Sequence, residues 1–196
     1  MEPITLTTER LLVRPFLPQD AEAVYLACQD PDIQRWTVVP SPYSRADAEL
    51  WTEKLAPAGW QEDTMYNFAV VGRDGGPLLG ALGVNRCNLP GTFEVGFWTA
   101  KQHRGAGYTT EAVLAAARWA FTALAADRLE WRAETGNGPS RAVALRAGFR
   151  MEGEQRSALF NKGTRRDTWT GALLPADLGL PGTYPHRPSP GVSGAL

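Results

Sequence analysis

Apolar residues recur at every second position in some stretches of this chain and at every third or fourth in others. The switches between these periods mark out its elements. ERLLVRPF (9–16) has the two-residue period of a half-buried strand and is closed by Pro15 and Pro18. PQDAEAVYLACQD (18–30) reads as a helix, with Asp20 near its start and Pro31 as its stop. SRADAELWTEKLA (44–56) opens with Ser44 and Asp47 in the S-x-x-D spacing of a capping box, which predicts a second helix. MYNFAVV (65–71) and PLLGALGV (77–84) flank RDGG, a hairpin signal. TFEVGFW (92–98) is a further strand, in which Gly96 suggests a bulge or a close backbone approach.

The period then lengthens. Val113, Ala117, Ala120, Phe121 and Leu124 fall on one face of a helix, and RLEWRAE (128–134) returns to strand alternation. GPSRAVALRAG (138–148) is a short helix, with Pro139 at an early position and Gly148 at its C-terminal end. FRMEGEQRSALF and TRRDTWTGALL make a closing pair of strands around NKG. The order predicts a mixed sheet, antiparallel in its first half, with a βαβ crossover in the second. Residues 1–178 are expected to form one domain. The stretch from Gly179 (GLPGTYPHRPSPGVSGAL), rich in Pro and Gly, is expected to be a disordered tail (179–196).

Composition narrows the function classes. With 196 residues, 43% of them apolar, the chain has material for one well-buried core and little more. A net charge of −1, with no block of like charge, gives no footprint for nucleic acid. Cys28 and Cys87 form no CxxC, and the only histidines are His103 and His186, so no metal cluster of ordinary spacing is expected. Both cysteines read as buried free thiols. The start, MEPITLTTERLLVRPF, lacks the pattern of a signal peptide, and the most apolar window, 112–126, is too short for a membrane span and carries Arg118. A cytoplasmic setting fits, with no membrane partner.

The candidate chemistry lies in QHRGAGYTTEAV (102–113). A strand, a glycine-rich turn and a helix form an anion-binding device, because the first helical N–H groups point outward and the helix dipole adds positive charge. Gly105 and Gly107 would let a pyrophosphate approach, and Lys101 and Arg104 would supply charge. A P-loop is excluded by its missing lysine, and the dinucleotide fingerprint by Thr110 in place of its third glycine. The run Gln102-His103-Arg104-Gly105-Ala106-Gly107 instead matches Q/R-x-x-G-x-G/A, the acyl-CoA pyrophosphate loop of the GCN5-related N-acetyltransferases (GNAT). TERLLVRP (8–15), EVGFW (94–98), GYTTEA (107–112), N-G-P-S (137–140), AGF (147–149) and RRD (165–167) accompany it. In that order the chain resembles the RimJ/RimL-like branch, which acetylates protein N-termini, over about residues 8–175.

The resemblance implies an α+β fold. Its mostly antiparallel sheet has about seven strands, splayed in a V between strands 4 and 5 and flanked by about four helices. It also implies acetyl-CoA as co-substrate, no metal, and direct attack of an amine on the thioester in a ternary complex. Such a site needs an oxyanion donor, a proton acceptor and a proton donor for the thiolate. Glu94 is the candidate base and Ser140 the candidate acid, set against an ordinary strand carboxylate and a helix cap. A backbone N–H near Phe97 or Trp98 would meet the oxyanion. Gln102, His103, Arg104, Gly105, Ala106, Gly107, Tyr108, Asn137 and Arg141 would join Phe97 and Trp98 in holding the cofactor. Tyr108 matches the family's GY but reads first as core, and Arg141 reads equally as a solvated helix face. Glu111 reads as a first-turn carboxylate favoured by the dipole. Trp36 and Trp51, with Glu94, would line the acceptor groove, an aromatic wall suited to a peptide or an apolar amine. The acceptor could be a protein or peptide N-terminus, or a small amine such as an antibiotic or metabolite. Succinyl-CoA is an alternative donor, with Arg35 or Arg86 to meet its carboxylate, and a non-catalytic acyl-CoA-binding module is the alternative class. Monomer and homodimer are both compatible with the sequence.

Overall fold

Alternation along the strands sends one set of side chains toward a single long helix and the other toward a group of short ones, and the sheet forms between them. In the computed structural model, which describes residues 1–188, the strands are β1 (Leu6–Thr7), β2 (Leu11–Pro15), β3 (Met65–Gly72), β4 (Leu78–Arg86), β5 (Thr92–Thr99), β6 (Arg128–Glu134), β7 (Arg150–Asn161) and β8 (Thr164–Leu173). They form one eight-stranded sheet in the order β1-β2-β3-β4-β5-β6-β8-β7. Every neighbouring pair is antiparallel except β5 and β6. That parallel pair needs a crossover, and α5 (Tyr108–Ala123) supplies it. The remaining helices are α1 (Ala21–Ala27), α2 (Pro31–Trp36), α3 (Arg45–Leu50), α4 (Ala56–Gln61) and α6 (Gly138–Arg146).

Two cores result. Phe93 and Val95 of β5 and Leu129, Trp131 and Ala133 of β6 pack with Val113, Ala116, Ala117 and Ala120 of α5. Trp60, Tyr66, Phe68 and Trp119 close one end of this cluster, with Trp60 meeting Tyr66 and Phe68 edge-on at centroid distances of 5.1 Å. The opposite face carries Phe16, Val24, Ile33, Ala48, Ala69 and Ala81. Residues of even number in β5 and β6 (Glu94, Gly96 and Trp98; Glu130, Arg132 and Glu134) point to this second face by alternation.

The sheet has one strand more than expected, because the two-residue β1 adds an edge, so the V lies between β5 and β6. Among the described residues the α-helices number six. Pro31 does not end a helix in a loop; it occupies the first turn of α2, whose N-cap Asp30 accepts from the Asp32 N–H at 3.0 Å. Proline fits there because its missing N–H would have been unpaired anyway. The capping box at Ser44 and Asp47 forms as expected, but the helix runs beyond Ala56 to Gln61 through a π-turn at Trp51–Leu55. Pro57 has no N–H to offer the carbonyl one turn back, and the preceding turn widens.

Gly96 makes no bulge. The β4–β5 register is unbroken and sets Gly96 opposite Gly83. Of the segment expected to be a disordered tail, 189–196 lie outside the described residues. Nearer the domain, Leu180 packs on the first core, and the amides of Thr183 and Tyr184 donate to Asp127 Oδ1 at 2.6 and 3.2 Å.

Candidate active site

The parallel pairing of β5 with β6 covers only Thr92–Glu94 and Arg128–Glu130. Beyond Glu94 the strands part: β5 continues to Thr99 on β4, and β6 to Glu134 on β8. The Ala100 N–H donates to the Leu79 carbonyl at 2.9 Å, which fixes the phase of the β4–β5 ladder. By its alternation, the N–H of Phe97 turns into the gap while that of Trp98 turns back toward β4. Of the two amides expected near the oxyanion, only Phe97's therefore faces the splay. The Trp98 side chain lies on the second face, against its core.

Immediately after this gap the chain makes a short 3-10 turn (Lys101–His103) and enters α5 through two glycines, both left-handed: Gly105 at φ +80° and Gly107 at φ +79°. Gly107 is the N-cap and has no side chain to offer. The backbone N–H groups from Gly105 to Thr110 find no acceptor among the described residues; the first helical bond is from Glu111 to Gly107, at 3.1 Å. Six such donors, at and just before the positive end of a 16-residue helix, are free to receive an anion. A Cβ on Gly105 would meet nothing within 4 Å, so the space over it is open.

The charges around the loop are arranged differently from the expectation. Arg104 turns away from the donors: its Nη1 reaches Asp32 at 3.1 Å, its Nη2 binds Asp30, and its Nε donates to the Thr99 carbonyl at 3.2 Å. It ties the loop to the start of α2. Arg10, absent from the expected set, stands at the loop. It donates to the Ala106 carbonyl at 3.0 Å and to Glu111 at 2.6 Å, and it lies 4.9 Å over the Tyr108 ring. Burial would push the Glu111 carboxyl up, but hydrogen bonds from Thr8 and Arg10 hold it below the usual glutamate range. Gln102 is exposed, and His103 is half-buried with its N–H on Ala100.

Glu94 sits at the apex of the V. Arg132, on the same face of β6, grips its Oε2 with Nε at 2.8 Å and with Nη2. Oε1 accepts no hydrogen bond among the described residues, so one oxygen stays available. Next to Glu94 the Gly83–Gly96 pair forms a depression roofed by no Cβ of its own. Asn67, 5% exposed, covers Gly83, and its Nδ2 has no partner.

Ser140 does not cap α6. That role is taken by Asn137, whose Oδ1 accepts the Ser140 N–H at 3.2 Å. The Ser140 hydroxyl oxygen accepts the indole N–H of the buried Trp131 at 3.0 Å, and no acceptor takes its own hydrogen. Trp131 belongs to the wall of β6 that faces α5, so Ser140 and Glu94 are held on opposite sides of the sheet. Arg141 stacks 5.1 Å over Trp169. Trp36 is half-buried at the end of α2, under the Arg35 guanidinium at 4.3 Å. Trp51 packs edge-on against Phe16 at 6.1 Å. The thiols are free, and burial pushes Cys28 up to about 12.

Residues 10–150 match the family model described as an acetyltransferase (GNAT) domain. The Bacillus subtilis N-acetyltransferase YoaA is 28% identical over 164 residues, covering 83% of this chain and 92% of its own length. YdaF of the same organism, whose name provisionally assigns it to ribosomal N-acetylation, is 29% identical over 170 residues, 85% of this chain and 92% of YdaF. Among solved structures, Mycobacterium smegmatis RimJ in complex with a CoA disulfide superposes with a TM-score of 0.79 at 24% identity, covering 91% of this chain and 92% of that one.

Proposed function

The chain belongs to the GNAT acetyltransferase family and is an N-acetyltransferase, and from that premise we propose that it moves an acetyl group from acetyl-CoA to the N-terminus of a protein or peptide, by direct attack in a ternary complex. One observation carries this reading. The sheet opens at Glu94, and the unpaired N–H groups of residues 105–110 begin six residues after β5 ends at Thr99. A phosphate seat thus adjoins a slot between two strands whose backbone groups lack partners. Acetyl-CoA supplies the activated thioester.

The chain's own residues supply the rest. The 105–110 amides would hold the pyrophosphate, with the two positive-φ glycines keeping side chains out of its way. Backbone groups on the open edge of β5 would bind the pantetheine amides as a further strand would. Glu94 Oε1 would take a proton from the ammonium, directly or through water, freeing the amine to attack, while Arg132 keeps the carboxylate aimed. The Phe97 N–H would stabilise the oxyanion. Ser140 would relay a proton from water to the departing sulfur, giving up its own hydrogen as it takes one from solvent, with its oxygen fixed by Trp131. In this order the nucleophile approaches from the Glu94 side and the thiolate leaves on the Ser140 side.

A non-catalytic binding module would have no use for a carboxylate oxygen and a hydroxyl hydrogen that are both left without partners among the described residues. Purified protein, acetyl-CoA and a pool of synthetic peptides with free N-termini provide the test, read by thiol release and by product mass. Acetylated α-amines are expected. Thiol release absent with every peptide, with succinyl-CoA as a parallel donor, would overturn the reading.

A further inference from the structure

A second cavity, of about 280 Å³, opens where α2 meets the tip of the β7–β8 hairpin, lined by Gln34, Arg35, Ser41, Asn161, Lys162 and Arg166. Its construction is specific. Asn161 and Thr164 close a two-residue turn in which Lys162 and Gly163 have φ of +49° and +74°, the conformation of a type I′ hairpin. That turn points Lys162 at α2, where its Nζ donates to the carbonyls of Gln34 and Thr37, and Asn161 Nδ2 reaches the Thr37 carbonyl at 3.1 Å. The uncharged side chains are thus occupied in holding the walls, with Ser41 donating to Gln34 Oε1 at 2.8 Å.

The cations are not balanced. Arg35 and Arg166 share one carboxylate, Glu134, at 2.6–2.7 Å and 3.4 Å, and Lys162 has only carbonyls. Three positive groups meet one negative group. Lys162 is held below the usual lysine range by burial and then by Arg35, the sign of a cation lacking a counter-charge.

The cavity and the splay lie on one line. Glu130 is paired with Glu94, and Glu134 is four residues further along the same face of β6, about 13 Å away at strand rise. An extended peptide whose N-terminal amine is at Glu94 covers that distance in about four residues.

We propose that this cavity is an acceptor subsite for anionic side chains: it takes a carboxylate at the third to fifth residue of a peptide whose N-terminus is acetylated at Glu94. The proposal rests on the transferase reading. It makes the favoured acceptor an acidic N-terminal segment and disfavours polycationic amines, which the three cations would repel.

Three octapeptides with N-terminal Ser, differing only in carrying Glu, Gln or Lys at positions 3–5, test it in the thiol-release assay. The Glu peptide should exceed the Lys peptide in kcat/KM by about tenfold or more, as expected for two partly exposed ion pairs. The preference should shrink in 0.5 M NaCl, where screening shortens to a few ångströms (~4 Å). Lys162→Glu lies on an exposed hairpin tip, brings the cavity from two excess positive charges to none, and should erase the preference for the Glu peptide over the Lys peptide. Binding of the same Glu peptide with its amine already acetylated, followed by titration calorimetry, reads the subsite without chemistry. Binding without turnover of any free-amine peptide would keep the subsite and refute the transferase. Turnover of all three peptides at equal kcat/KM, or no binding of the blocked peptide at millimolar concentration, would overturn the subsite.

Discussion

Replacing Ser140 with alanine separates a chemical from a structural role, because the structure assigns each a different cost. The substitution leaves the α6 cap intact, since Asn137 Oδ1 still meets the residue-140 N–H. It does remove the acceptor of the Trp131 indole N–H, and Trp131 is only 1% exposed. A buried donor left without a partner costs about 1–3 kcal/mol. For a chain of this size that is a fall in Tm of about 2–10 °C. The proton-donor role adds a kinetic cost. CoA thiolate is a fair leaving group unaided, so turnover should drop about tenfold, at the low end for a positioned acid. Trp131→Phe is the companion: it deletes the same hydrogen bond but keeps the hydroxyl, so it should lose stability and keep most of its turnover in the folded fraction. Differential scanning fluorimetry and thiol release under saturating acetyl-CoA measure the two quantities. If folded Ser140→Ala turns over like wild type, Ser140 is not the acid and water takes its place. If Trp131→Phe loses as much turnover as Ser140→Ala, the indole contact that fixes the hydroxyl is itself required for turnover.

Gly105→Asp and Gly107→Asp should each abolish acetyl-CoA binding in titration calorimetry, by placing a carboxylate on the anion seat at positions of φ near +80°; wild-type affinity in either folded variant would remove the seat from that loop. Truncation before Gly179 should lower Tm, because Leu180 and the two amides on Asp127 go with it, whereas truncation after Arg187 should leave Tm unchanged; equal behaviour of the two would mean those contacts contribute nothing. The Glu134 carboxyl is held below its ordinary 4.5 chiefly by the hydrogen bond from Arg35, with burial opposing. A depressed folded pKa stabilises above the unfolded value and loses that contribution as pH falls through the folded one. Glu134→Gln should therefore flatten part of the loss of stability below about pH 4.5 in acid titrations followed by circular dichroism, and an unchanged acid limb would show the pair to be neutral.

Much of the fold could be read from local patterns. RLEWRAE matched β6 residue for residue, and the Ser44 capping box and the Gly148 helix end formed where their spacing put them. Pro31 misled because proline stops one helix and starts another with the same residue, and only Asp30 as a cap distinguishes the two. Gly96 misled because a strand glycine signals a bulge as well as it signals an empty face; its partner Gly83 decides, and that pairing is not local. At the site, the loop was legible as a motif, yet its charges were not. Arg104 reads as a phosphate ligand until Asp30 and Asp32, some seventy residues earlier, arrive to neutralise it. The roles of Arg10, Arg132 and Trp131 were not legible, since each acts through a contact made only when segments distant in sequence come together. The alternation of RLEWRAE did carry one unused clue: it sets Glu130, Arg132 and Glu134 on a single face.

The reaction at the apex of the V is tested most directly by Glu94→Gln, which keeps the size of the side chain and a contact for Arg132 while removing the base. Acetyl-CoA affinity by titration calorimetry should stay within about twofold of wild type, because the loop at residues 105–110 is untouched, while kcat falls by about 10²–10⁴. A folded Glu94→Gln enzyme with wild-type kcat would contradict the account.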